Sequence, residues 1–440
     1  MFVKTVGVYA TRVAFVVMLF NSLSWPQQPM STLDRGRAQE MLQVIGSEVK
    51  KHYYDSSFHG IDFEAKIAEA KQNINQTTSM NMALSHIAAA LDALNDSHTF
   101  FVPPQHSSRI EYGWQYQMIG DHCFVTRVRP KTDAEAKGVR PGDEIMTLNG
   151  YKPTRDNLWK MQYVFSVLRP QGGLRLGLQD PSGKQREVDV VAKIHEGQRV
   201  TDLTHGADFW NLIRQVENEE HQMRARYAEY GDQLLVLKVP EFMFSANEVE
   251  EMIGKARKHQ NLIVDLRGNP GGSVETLKFL VGGMFDKEIK IADRKGRKEI
   301  KPEIAKANHH PFTGKMVVLV DSRSASAAEL FARVMQIEKR APVFGDHSSG
   351  SVMESRHYSE RMGNDTVIFY GASITEWDLI MGDGKSLEHN GVTPDEIILP
   401  TASDIASSND PVMARAAESL GVKLSPQDAG KLFPYEWPQD

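Results

Sequence analysis

At 440 residues the chain is long enough for about three domains, and 41% hydrophobic with 25% charged residues is an ordinary globular balance. A net charge of -6, with no long basic run, gives no general attraction to nucleic acid and excludes it as an expected partner. The single Cys123 permits no disulfide within the chain, no Cys/His cluster has zinc-ligand spacing, and Cys123 itself reads as a small buried apolar residue.

In chain order, Lys4 and Arg12 precede the apolar run Val13–Phe20, which Asn21-Ser22-Leu23-Ser24 breaks. A basic stretch before a short apolar one reads as an export signal over residues 1–30, too short for a comfortable membrane span. No A-x-A site follows, so cleavage and retention as an amino-terminal membrane anchor both stay open. The expected location is periplasmic or extracellular. From Ser31 to Leu94 the apolar residues Met41, Leu42, Ile45, Val49, Leu84, Ile87, Leu91 and Leu94 recur at helical steps. They define a helical domain over 31–105, a cap or an element for assembly into a homo-oligomer, that ends in Asp96-Ser97-His98-Thr99 and an extended stretch before Pro103.

Residues 106–195 change to short strands. Gly138-Val139-Arg140-Pro141-Gly142-Asp143-Glu144-Ile145, followed by Leu148-Asn149-Gly150, resembles a PDZ domain, with Asp156 to Val167 as its second helix. The resemblance implies that an extended peptide end is added as a strand, its carboxylate received near Tyr112, Gly113 and Trp114. That loop departs from the usual glycine-leucine-glycine type, which puts the ligand preference in doubt, and a PDZ fold used only as a spacer stays open.

After a polar connector from Glu196 to Glu220, residues 196–405 alternate buried-type strands, Leu234–Val239 and Leu262–Leu266, with a helix over Asn247–Ala256, the pattern of an α/β domain. Residues 406–440 add one helix, Val412–Leu420, and a polar tail. The central stretch of this region is Asp321–Leu330. It follows the apolar run Met316–Val320 and opens a helical pattern at Leu330, Phe331, Val334 and Met335, so a tight turn joins strand to helix. A serine there is held rigidly, and the free N–H groups of the first helical turn can face a developing negative charge. Serine-rich turns are also ordinary helix caps, so this stretch alone leaves both readings open.

Taken together and in order, Asp96–Thr99, the PDZ-like module, Asp265-Leu266-Arg267-Gly268-Asn269-Pro270-Gly271-Gly272, Ser324–Glu329 and Gly384–Asp395 resemble the C-terminal processing (tail-specific) serine proteases and their tricorn-type relatives. The resemblance implies a multidomain α/β protein with a crotonase-like catalytic domain and no metal or organic cofactor. It implies Ser326 as nucleophile, with the N–H groups of Gly272 and Ala327 as oxyanion hole. Many bacterial members activate the serine with a lysine; here that position holds Ser351, and no lysine occurs between Lys339 and Lys385. The tricorn-type branch implies His98 as base instead, with Ser97 and Glu388 completing the relay. His98 and Glu388 also have plain readings as a structural histidine and a surface carboxylate. His347, near the vacated lysine position, is the rival base, and Glu329 reads as a structural partner of the turn. The expected activity is an exported serine endopeptidase acting on unfolded or C-terminal polypeptide, its PDZ module capturing or gating substrate. A peptide-binding protein without activity and a crotonase-like acyl-thioester enzyme are the alternatives.

Overall fold

The computed structural model describes residues 30–105, 108–196, 223–298, 300–363 and 367–437. The export-signal run and most of the polar connector lie outside them. Among the described residues no helix is long and apolar enough to cross a membrane.

The side chains of Ser31, Asp62 and Ser79 each accept a hydrogen bond from an N–H of the first helical turn, and so start α1 (Thr32–His52), α2 (Phe63–Gln76) and α3 (Met80–Asp92). Residues Met41, Leu42, Ile45, Val49, Ile74, Ile87 and Leu91 turn inward at three- and four-residue steps and are buried together. Each such side chain contributes roughly 1.5–3 kcal/mol on leaving water. The chain then extends as β1 (Phe100–Val102).

A β unit follows. It contains β2 (Ser108–Glu111), β3 (Trp114–Ile119), β4 (His122–Val128), α4 (Asp133–Ala136), β5 (Glu144–Leu148), α5 (Leu158–Tyr163) continued by a π-helical turn over Val164–Leu168, β6 (Gly173–Gln179), β7 (Gln185–Val191) and β8 (Lys193–Glu196). Strands β3 to β7 form one antiparallel sheet in sequence order, leaving β3 as an edge, while β2 and β8 pair separately. Cys123 is buried in this unit, where burial pushes its thiol up to about 12, as expected of an inert core residue. Leu168 packs not into this core but into that of the helical unit, and Tyr163 Oη donates to the carbonyl of Phe101.

The last unit holds β9 (Arg226–Tyr230), β10 (Leu234–Lys238), α6 (Ala246–Ala256), β11 (Asn261–Asp265), α7 (Val274–Gly282), β12 (Ile289–Lys295), β13 (Glu303–Ala305), β14 (Lys315–Val320), α8 (Ala327–Ile337), β15 (Val343–Gly345), β16 (Met353–Met362), β17 (Ile368–Met381), β18 (Glu396–Ile397), α9 (Ala402–Ala406), α10 (Pro411–Ser419) and α11 (Pro426–Ala429). Its main sheet runs β18-β15-β14-β11-β10-β9 and is parallel except for β9. Both faces are covered, which is why these strands read as continuous apolar runs. Leu235, Leu237, Leu262, Val264, Val318 and Val320 enter one core, while Leu234, Val236, Ile263, Val317 and Leu319 meet α10 on the other side. In a second sheet the long β17 pairs with β16, β12 and β1, so the helical unit is stitched to this unit through β1. The whole is a multidomain protein of mixed α/β class.

Candidate active site

In a parallel sheet the carboxyl ends of adjacent strands deliver their loops to one edge. Strands β11, β14 and β15 are neighbours, and the turns that follow them are bonded to one another. Gly268 N–H donates to Asp321 Oδ1 (2.8 Å), Ser324 Oγ donates to the Leu266 carbonyl (2.8 Å), Ala325 N–H to the Asn269 carbonyl (2.9 Å), and Ser349 N–H to the Ser324 carbonyl (2.9 Å). Beneath them, against the cost of burial, the charges of Arg267 and Lys238 hold the Asp265 carboxyl well below the usual range. Arg267 also forks onto Asp410 (2.8 and 2.7 Å), tying the glycine turn to the start of α10.

Ser326 stands at the start of α8 with φ 52° and ψ -118°, a left-handed conformation that costs a non-glycine residue about 1–3 kcal/mol. The strain is held by neighbours on both sides. Ser326 N–H is shared between the Ser351 carbonyl (2.9 Å) and Glu329 Oε2 (3.0 Å). Opposite, Gly271 presses so closely that a Cβ on it would stand 2.6 Å from Ser326 Cβ. Gly271 N–H is used by the Asn269 side chain (2.8 Å). Gly272 N–H and Ala327 N–H have no acceptor among the described residues, so two amides beside the serine remain free for a ligand oxygen.

Glu329 is fully buried and is a hub. Its Oε1 accepts from Ser348 Oγ (2.5 Å) and Gly350 N–H (2.7 Å), its Oε2 from Ser326 N–H and Ser351 N–H (both 3.0 Å). Burial pushes the carboxyl up to about 7, while those four donors pull the other way. One residue after Ser351, Val352 N–H donates to Glu388 Oε2 (2.8 Å). Glu388 also accepts from Ser97 N–H (2.7 Å, Oε1) and Ser97 Oγ (2.9 Å, Oε2), across 291 residues of sequence.

Ser97 Oγ lies 2.7 Å from His98 Nδ1. A carboxylate can only accept, so the single hydroxyl proton of Ser97 goes to Glu388, and His98 must then donate from Nδ1. The tautomer is thereby set, and Nε2 keeps a free lone pair. Burial lowers the His98 pKa from its ordinary value, partly offset by the Asp96 charge. Asp96 Oδ1 pins the loop, accepting from His98 N–H (2.9 Å), Thr99 N–H (2.7 Å) and Thr375 Oγ1 of β17 (2.8 Å). Burial raises the Glu388 pKa, opposed by the bonds it accepts from Val352 and Ser97.

Ser97, His98 and Glu388 thus form one chain of hydrogen bonds, joined to the Ser326 turn through the two residues Ser351 and Val352. Among the described residues no hydrogen bond joins Ser326 Oγ to His98. His347 turns elsewhere: its Nδ1 is 3.4 Å from Thr393 Oγ1, and its carbonyl accepts from Arg155 of the β unit (3.0 Å). Tyr112, Gly113 and Trp114 belong to the β unit, at the start of edge strand β3. Tyr112 Oη donates to the Gln171 carbonyl (2.8 Å), and Trp114 is buried with its Nε1 unpartnered. The contact of Gly271 with Ser326 and the four-donor role of Glu329 are not legible in the sequence, where the Asn-Pro-Gly-Gly run and the i,i+3 spacing are their only signals.

Residues 233–398, the unit carrying Ser326, Gly272 and Glu388, match Peptidase family S41. The tail-specific protease of Haemophilus influenzae is 22% identical over 278 residues, covering 59% of this chain and 38% of the relative. A probable CtpA-like serine protease of Staphylococcus epidermidis is 23% identical over 342 residues, covering 74% and 62%. Residues 233–398 thus carry a Peptidase family S41 unit, and the chain is similar to tail-specific and CtpA-like serine proteases. It spans only 38% and 62% of the length of these two relatives. Two solved structures share the fold. Mature CPAF superposes with a TM-score of 0.64 at 16% identity, over 85% of this chain and 95% of that one. The photosystem II D1 C-terminal processing protease gives 0.51 at 17%, over 90% and 99%.

Proposed function

We propose that this chain is an exported serine endopeptidase that cuts unfolded or C-terminal polypeptide, with Ser326 as nucleophile and His98 as general base. The observation that carries the reading is the Glu388–Ser97–His98 chain, which leaves Nε2 of His98 as the proton acceptor and reaches the Ser326 turn through Ser351 and Val352. Ser326 Oγ gives its proton to Nε2 as it attacks the peptide carbonyl. The resulting oxyanion takes the free N–H groups of Gly272 and Ala327, donors typically worth about 3–4 kcal/mol each. The imidazolium is stabilised through Nδ1–H, Ser97 and Glu388, then protonates the leaving amine; water repeats the sequence to release the acid. Substrate binding closes the gap between Ser326 and His98, as catalytic hydrogen bonds commonly tighten only in the complex. With Ser351 in place of the family's lysine, the base comes from the helical unit.

In this reading the β unit is a PDZ domain, and the catalytic unit has the crotonase-like fold. The open edge of β3 is where a peptide end adds as a strand, near Tyr112, Gly113 and Trp114. Strand β3 already touches the nucleophile turn, since Ser322 Oγ donates to the Met118 carbonyl. This contact supports a gating as well as a capturing role.

The deciding experiment is fluorophosphonate labelling with casein digestion by wild type, Ser326→Ala, His98→Ala and His347→Ala. Label and activity are expected in wild type and His347→Ala and in neither of the others. Labelled, active His98→Ala protein would overturn the base; digestion by Ser326→Ala at the wild-type rate would overturn the nucleophile.

A further inference from the structure

The carboxyl-terminal segment leaves the catalytic unit after α11 and crosses to the β unit. Phe433 still packs against the second core, with the Arg226 guanidinium 5.4 Å from its ring centre, and Arg226 also donates to the Pro434 carbonyl (3.1 Å). Two residues on, Tyr435 lies on the β unit. Its Oη accepts from Gln115 Nε2 (2.6 Å), and the Arg127 guanidinium sits 4.7 Å over its ring. Gln115 and Arg127 are cross-strand partners on β3 and β4, and Arg127 donates to Gln115 Oε1 (3.1 Å), so the two receiving side chains also hold each other. Trp437 closes edge-on against Tyr435 at 5.1 Å. A short aromatic segment therefore bridges two units that also meet where α9 packs against Gly142, where Leu399 approaches Gly120, and around the nucleophile turn and Asp346. There Ser322 bonds to Met118, Gln117 reaches Asp321 (3.4 Å), and the Gly120 N–H and Arg155 both reach Asp346 (2.9 and 2.6 Å).

We propose that Gln115, Arg127 and Arg226 form a docking surface for the chain's own aromatic tail, Phe433–Trp437, and that the seated tail straps the β unit against the nucleophile turn. The chemistry of the surface is specific: two guanidiniums over two aromatic rings, with one amide reading the tyrosine hydroxyl. Release of the strap frees the edge of β3 and the Asp321–Ser326 turn together. The consequence for catalysis rests on the reading of Ser326 as nucleophile; the docking itself does not.

Hydrogen exchange tests it, with the Gly120 amide as reporter because its acceptor, Asp346, lies across the junction. The measurement uses Ser326→Ala protein, so self-digestion plays no part, and compares the full chain with Tyr435→Ala and with a chain ending at Leu432. Both variants are expected to exchange at Gly120 about tenfold faster, the scale of two exposed cation–π contacts and a hydrogen bond less the cost of ordering the tail. A synthetic peptide with the sequence of residues 433–440, added to the shortened chain, is expected to restore slow exchange. Unchanged exchange at Gly120 in Tyr435→Ala and the shortened chain overturns the proposal, and so does an equal rise throughout the β unit, which signals unfolding instead of undocking. With Ser326 intact, the shortened chain is expected to cleave a short fluorogenic peptide faster. Faster exchange without peptidase activity in either chain supports the strap and overturns the nucleophile assignment.

Discussion

Ser97→Ala removes a single oxygen and isolates the contribution of the relay. In the folded chain that oxygen accepts from His98 Nδ1 at 2.7 Å and donates to Glu388 Oε2 at 2.9 Å, while Glu388 keeps two other donors, the N–H groups of Ser97 and Val352. Loss of the hydroxyl therefore leaves the carboxylate in place but disconnects it from the imidazole. A hydrogen bond to a charged partner is worth about 1.5–3 kcal/mol, and this one is fully charged only when His98 holds the serine proton, so kcat is expected to fall about 10- to 150-fold. Ser97 does not touch substrate in the proposed reaction, so KM stays near the wild-type value. The pH profile supplies an independent sign. Activity needs neutral His98, whose pKa burial holds below the ordinary value, so kcat/KM is retained at neutral pH and lost as pH falls through that lowered pKa. Without Ser97 the imidazolium is stabilised less, and the acidic limb moves further down. Ser97→Thr keeps a hydroxyl and is expected to restore both rate and limb. Steady-state assays of a fluorogenic peptide across pH 5 to 9, a range of about two units on either side of neutrality, decide it. A kcat for Ser97→Ala within about twofold of wild type, with an unmoved limb, refutes the relay.

Glu329→Gln supplies one carbonyl oxygen where two carboxylate oxygens met four donors, and is expected to lower stability by about 2–3 kcal/mol in urea titration while sharply reducing kcat. Gly271→Ala sets a Cβ 2.6 Å from Ser326 Cβ at φ +102° and is expected to abolish labelling of Ser326 while costing about 1–3 kcal/mol. Ser326→Gly relieves the φ 52° strain, so its melting temperature is expected to exceed that of Ser326→Ala, the difference corresponding to about 1 kcal/mol, with both inactive; equal melting temperatures would argue against stored strain.

The sequence was most legible where one element satisfies a single pattern. The apolar run into β14 and the Leu330, Phe331, Val334, Met335 spacing of α8 fix a strand-turn-helix, because a parallel strand buried on both faces has no polar register to confuse it. The second sheet was not legible for the opposite reason. Strand β16 reads Met-Glu-Ser-Arg-His-Tyr-Ser-Glu-Arg-Met, too polar to signal a strand, and its place comes from pairing with β17. At the site, glycine turns and small-residue turns are visible as residue types. That Gly272 and Ala327 have free amides while Gly271 does not depends on where the Asn269 side chain points, which no pattern encodes. Glu329 stands three residues from Ser326, but its other partners, Ser348, Gly350 and Ser351, come from a separate loop. The tail is hidden in the same way: Tyr435 and Trp437 look like stray aromatics in a polar end until Gln115 and Arg127 face Tyr435.

The substitution of Ser351 for lysine changes which contacts the proposed chemistry depends on. A lysine at that position would bring the base on the very loop whose carbonyl receives Ser326 N–H, so nucleophile and base would be set within one unit. His98 instead arrives from the helical unit. Its position relies on β1 pairing with β17, on Thr375 bonding to Asp96, and on Glu388 gripping Ser97. The same helical unit is held to the β unit by the ion pair of Lys160 with Asp92 (2.6 Å) and by Leu168, buried in the helical core. On the proposed reading, a displacement of α5 by a bound peptide would act on the unit that carries the proposed base, and a displacement of β3 on the turn that carries the proposed nucleophile. In the proposed mechanism the two halves of the site are coupled through two elements of one unit, and a loss of docking at either keeps Ser326 from reaching His98 without altering a single catalytic residue.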